Sequence, residues 1–178
     1  MGHSVLVVPV PALEPFVRAR WAHYDPAWVS ADPAFTHAHV TALSPWREDP
    51  DPDALARVAR IAAATPAFDF TLAAVDAFPD GTLHTPPAPA APFADLTARL
   101  WSAFPDCPPY GGAFGEGPSV PHVTLDRVAD DVSVASVRTA LGGTLPAACR
   151  AEALEWHWYD EGDCHVRGRW PFRAPPSR

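Results

Sequence analysis

Apolar residues recur along this chain with two periods, and the alternation between them outlines its elements. Ser4–Val10 (SVLVVPV) is β-branched and apolar at nearly every position, which predicts a buried strand. Leu13, Phe16, Val17 and the Arg20–Trp21 pair form one stripe, predicting a helix over Pro11–His23 with Pro15 in its first turn. Tyr24–Phe35 carries two Asp-Pro-Ala turns and reads as a loop. His37–Leu43 alternates and predicts a second strand. Asp51, Pro52 and Asp53 then combine a capping side chain, a proline at the first helical position and a first-turn acid. Leu55, Val58, Ala59 and Ala62 follow at helical spacing, and Pro66 closes the helix.

Phe68, Phe70 and Leu72 alternate as a strand, and a turn at Pro79–Gly81 leads into a short return strand, Thr82–Thr85. After the stiff connection PPAPAAP, Phe93, Leu96, Leu100 and Phe104 mark a third helix. A long irregular segment follows, then a strand in VPHVTLD. Val134, Val137 and Leu141 mark a fourth helix, ending at Gly142 and Gly143. Ala151–Tyr159 and Cys164–Phe172 predict the last two strands. In the first of these, Ala153, Glu155, His157 and Tyr159 share one face, and Leu154, Trp156 and Trp158 the other. The tail from Arg173 onward is expected to fray.

The order is β-α-β, α-β-β, α-β, α-β-β: an α+β pattern with hairpins, too irregular for a doubly wound sheet. Two strand–helix–strand units echo each other, which suggests two similar lobes within one domain spanning 1–178. Composition narrows the class. With 48% hydrophobic residues the chain fills a core, which excludes wholesale disorder. Its 23 prolines lack a period, so they punctuate short elements and exclude collagen. Three scattered cysteines fit a reducing compartment. The N-terminus has no basic region before its apolar run, and no stretch is long enough to span a bilayer. A cytoplasmic protein without membrane attachment, monomeric, is expected.

The chemistry concentrates in two copies of one tripeptide, His39-Val40-Thr41 and His122-Val123-Thr124. Period two places each histidine and threonine on one strand face and turns each valine inward. If the two strands lie side by side, two imidazoles flank one phosphorus. One takes a proton while the other gives one to the leaving oxygen, and the threonine hydroxyls bind the non-bridging oxygens. No metal or other cofactor is needed for that chemistry. His84, His157, His165 and Cys164 match no zinc spacing.

The pair resembles the two-histidine phosphoesterases, whose signature is two H-x-[ST] motifs roughly 80 residues apart; here the histidines are 83 apart, followed by Ala42 and Leu125. The VVPVP, AHVT, FDFTL, CPPYGG and VPHVT segments are similar to bacterial 2'-5' RNA ligase-like proteins over about residues 5–172. The resemblance implies a bilobal α+β fold: two pseudo-symmetric, mostly antiparallel sheets, outer helices and a central cleft. It implies metal-independent opening of a 2',3'-cyclic phosphate, with His39 as general acid and His122 as base, and Thr41 and Thr124 on the phosphate. 2'-5' RNA ligation, or nucleotide and RNA-end binding without turnover, are the alternatives on the same scaffold.

Further contacts are expected from the loops beside the motifs. Trp46 and Arg47 follow the first motif and Arg127 the second, as a stacking ring and two phosphate-seeking guanidinium groups. Tyr110, beside Gly111 and Gly112, suits a substrate-covering loop. His37 is read as a solvent-facing strand end, and Trp28, in a loop, as an exception to the core reading of the tryptophans. The net charge of -8 opposes an extended nucleic-acid footprint, so the expected partner is a small cyclic phosphodiester or an RNA end.

Overall fold

The computed structural model describes residues 2–113 and 120–174. Ten strands run in chain order: β1 (His3–Pro9), β2 (His39–Trp46), β3 (Phe68–Leu72), β4 (Asp76–Ala77), β5 (Thr82–Thr85), β6 (Pro87–Ala88), β7 (Val123–Arg127), β8 (Ala147–Ala151), β9 (Ala153–Tyr159) and β10 (His165–Pro171). Four helices intervene: α1 (Glu14–Tyr24), α2 (Pro52–Ala64), α3 (Ala91–Ala103) and α4 (Val134–Leu141). The strands form two antiparallel sheets. Seven of them follow the order β10-β9-β1-β2-β7-β5-β4, and the other three the order β6-β3-β8.

This is the expected α+β architecture, with one difference in how the lobes join. The two motif strands are neighbours in the large sheet and meet at a single register pair, Val40 opposite Val123. The lobes therefore share one sheet, and β2–β7 is its seam.

β1 has five consecutive buried residues because both of its faces are covered. Leu6 and Val8 join the main core with Val40, Val58, Leu96 and Leu100. Val5 and Val7 join a second cluster with Phe35, Tyr159 and Cys164, beneath the chain crossing from α1 to β2. α2 starts as its sequence dictates: Asp51 Oδ1 accepts from the Ala54 N–H at 2.7 Å. Ser133 caps α4 in a reciprocal capping box with Ser136. Gly142, at φ 51°, provides the left-handed exit that a side chain disfavours.

Several boundaries depart from the sequence reading. β2 starts at His39 and runs on to Trp46, because register shifts against β1 let the strand bend and continue. β8, with the sequence AACRA, forms where no strand is expected from the sequence. Its small residues carry no β-branched signal, and its order comes from pairing along the whole of β3. Arg173 is also held, contrary to the expected fraying: its N–H donates to the Thr65 carbonyl at 2.7 Å, and its own carbonyl accepts from Ala67 at 2.9 Å. The remainder of the tail, 175–178, and 114–119 of the long irregular segment lie outside the described residues.

Candidate active site

The pairing of Val40 with Val123 dictates the local geometry. In an antiparallel pair it sets His39 opposite Thr124 and Thr41 opposite His122. Both valines are fully buried, so these four side chains stand on the other face, a two-by-two arrangement with the histidines on one diagonal. Diagonal neighbours of this kind are about 7–8 Å apart, somewhat less at Cβ. All four line one cavity of about 610 Å³.

Each histidine is held in the same way. His39 Nδ1–H donates to the His37 carbonyl at 2.8 Å, and His122 Nδ1–H to the Val120 carbonyl at 2.8 Å. The bond back to residue i−2 fixes the tautomer, and Nε2 is left with a lone pair for the cavity. Their surroundings differ. Burial, with the neighbouring His157 as the next contributor, pushes His39 down to about 3. Burial also lowers His122, opposed by its bond to the Val120 carbonyl.

The first motif is anchored from α1. Glu14 Oε1 accepts from His37 Nδ1–H at 2.8 Å, and Glu14 Oε2 from the Ala38 N–H at 2.9 Å. His37 Nε2 in turn accepts from the Ser30 N–H at 3.2 Å. His37 is therefore buried with both ring nitrogens satisfied, and is not the solvent-facing strand end expected of it. An acid from a helix two dozen residues away is what draws it inward.

The second motif is flanked by His84 on β5, edge-to-face to His122 at 5.5 Å and stacked on Phe78 at 3.7 Å. Tyr110 lies parallel to His122 at 6.5 Å, in a turn with φ 51° at Tyr110 itself. Arg127 lines the cavity, with its guanidinium donating to the Asp80 carbonyl at 3.2 Å.

Two expected contacts fall elsewhere. Trp46 is 4% exposed in the main core, edge-to-face with Phe104 at 5.7 Å and Trp156 at 5.3 Å. The continuation of β2 turns its side chain to the helix-packed face. Arg47 is outside the cavity lining, paired with Asp106 at 2.9 Å and over the Phe104 ring. It braces the segment after α3 against β2.

The cavity also recruits residues that the motifs do not announce. Trp28 lines it, as does the Arg20–Tyr24–Asp126 cluster. There Tyr24 O–H donates to Asp126 Oδ1 at 2.6 Å, and Arg20 Nε lies 2.5 Å from Asp126 Oδ2. This cluster ties α1 to β7 across the seam. Tyr159 adds a wall, its hydroxyl 3.5 Å from His39 Nδ1. The sequence signal for Tyr159 is the polar face of the last long alternating strand. Arg20 and Trp21 carry none beyond their place in a packing stripe. Among the described residues, no group of three or more His, Cys, Asp or Glu is placed to hold a metal ion. No described helix is long and apolar enough to cross a membrane.

Two antiparallel sheets with helices, and paired HxT strands at a shared seam, define the class: a two-histidine phosphoesterase fold. The profile of the 2'-5' RNA ligase superfamily matches residues 9–163, and the chain belongs to that superfamily. Among solved structures, the TT0787 protein of Thermus thermophilus has a TM-score of 0.63 at 17% identity, over 97% of this chain and 98% of that one. E. coli LigT complexed with 3'-AMP has a TM-score of 0.58 at 15% identity, over 96% and 97%. A protein described as a phosphoesterase has a TM-score of 0.56 at 16% identity, over 96% and 98%. No curated protein matches the sequence significantly.

Proposed function

We propose that the protein opens a small 2',3'-cyclic phosphodiester, free or at an RNA end, by histidine–histidine acid–base catalysis without a metal. The observation that carries this reading is the diagonal pair of imidazoles, each with Nδ1 tied to a carbonyl and Nε2 left for the cavity. Water attacks phosphorus as one Nε2 removes its proton. The P–O bond to one ribose oxygen breaks, and the other imidazole, protonated, supplies that oxygen with its proton. Thr41 and Thr124 donate to the non-bridging oxygens.

The resemblance gives His39 the acid role. Its low proton affinity is met by the substrate itself, because an anionic phosphate beside a buried imidazole favours the imidazolium. Small nucleotides suit the size of the cavity, and LigT has been crystallised with 3'-AMP, ATP and NADP+.

Turnover of 2',3'-cyclic mononucleotides in EDTA tests the proposal. His39→Ala and His122→Ala should each lower kcat by about 10²-fold or more while remaining folded. Turnover that survives either substitution, or that EDTA abolishes, refutes it. Wild-type binding without turnover would instead make the protein a nucleotide-binding module.

A further inference from the structure

Behind His39, away from the cavity, lies a buried polar chain. His157 is fully buried, stacked obliquely under Phe35 at 4.3 Å and edge-to-face to His39 at 6.0 Å. Its Nε2–H donates to Glu155 Oε2 at 2.8 Å. The second oxygen of Glu155, itself 2% exposed, is held by Arg169 from β10. His157 Nδ1 is buried without a hydrogen-bond partner.

Such a row is an expensive way to fill space. A buried carboxylate and an unpartnered ring nitrogen both carry desolvation costs that apolar side chains at 155 and 157 would avoid. The row ends against the imidazole that the proposed reaction needs to protonate.

We infer that Arg169, Glu155 and His157 form a positioning chain for His39. Glu155 holds His157 in its Nε2–H tautomer. The His157 ring then fixes the plane of His39, and the charges behind it set how readily His39 takes a proton. The other titratable groups around the pair are Tyr159 on the same strand, the Glu14–His37 pair and Asp32 from the overlying chain, and His122 across the seam. None of these lies between Glu155 and His157. The inference rests on the proposed acid–base reading, but its test does not need turnover.

Histidine ring NMR on the full chain provides that test. The wild type should show His157 as the Nε2–H tautomer and His39 as the Nδ1–H tautomer at neutral pH. The His39 protonation midpoint is then followed with inorganic sulfate saturating the cavity, as an anion of fixed charge that favours the imidazolium. Glu155→Gln leaves Arg169 uncompensated and should lower that midpoint by about half a pH unit or more. Arg169→Met, at a half-exposed position, removes the cation and should raise it. A merely structural role would cost thermal stability in these variants and leave the midpoint and the tautomers as in wild type. That result overturns the inference. Loss of turnover in wild type, with the midpoint shifts present, would overturn the catalytic reading and leave the chain standing.

Discussion

His39 and His122 share a local bond and differ in what surrounds them, and that difference is measurable. Both ionise below the ordinary histidine value of 6.5, His39 at about 3. The proposed reaction requires one imidazole protonated and the other neutral. For the free protein the singly protonated pair, whichever imidazole carries the proton, is most populated between the two macroscopic values, and the productive arrangement is a fixed share of it. The kcat/KM profile for a 2',3'-cyclic nucleotide should therefore peak between about pH 3 and 6.5 and fall through neutrality. A maximum above pH 7 would contradict it. The same depression has a stability consequence. Between pH 7 and pH 5 the unfolded chain takes a proton at His39 that the folded chain refuses, so stability falls as pH falls. The loss is about 2 kcal/mol over that interval. His39→Gln should remove that share of the pH dependence in urea unfolding, and an unchanged slope would show that His39 is not responsible.

At the level of elements, the chain legibly announced the parts whose signals are local. The Asp51–Pro52–Asp53 start of α2, the Val134–Val137–Leu141 stripe of α4 and the alternating motif strands form as their residues dictate. Asp51→Ala should lower stability by about 1 kcal/mol and leave kcat/KM unchanged, since α2 is remote from the cavity. Denaturant melts and a rate assay on the same preparation check both halves. Partners distant in sequence were not legible. Trp46 follows the motif by a few residues, and only the register shifts of β2 against β1 decide that it faces the core. His37 carried no mark of burial, because its partner Glu14 sits on another element. That clamp holds the carbonyl that orients His39. Glu14→Gln keeps its size but weakens both bonds, and should reduce kcat by about tenfold with little change in KM. An unaltered kcat would assign Glu14 to folding alone.

For the whole molecule, acidity and phosphate chemistry have to coexist. The net charge is -8, yet the cavity lining gathers histidines, threonines and two arginines, Arg20 and Arg127, beside two acids, Asp25 and Asp126. Arg20 is already engaged by Asp126, whereas the Arg127 guanidinium donates to the Asp80 carbonyl, which makes Arg127 the proposed phosphate contact. In the proposed reaction such a site neutralises a single phosphate locally, while the net charge of -8 repels further ones. Repulsion between a polyanion and an acidic surface is screened by salt over about 10 Å at 0.1 M. A protein that binds nucleic acid through many phosphates loses affinity steeply as salt rises, by about 0.7 in log–log slope for each phosphate neutralised on a single strand. The opposite is expected here. For a cyclic mononucleotide, kcat/KM should depend only shallowly on salt, with a slope no steeper than one phosphate contact gives. For an RNA decamer ending in a 2',3'-cyclic phosphate, kcat/KM should lie below the mononucleotide value at low salt and rise as salt is added. Steady-state rates for the two substrates from about 20 to 300 mM salt decide the matter. A decamer that is preferred at low salt and lost steeply at high salt would reveal a basic track that the net charge does not lead one to expect, and would move the proposed substrate from the small molecule to the RNA chain.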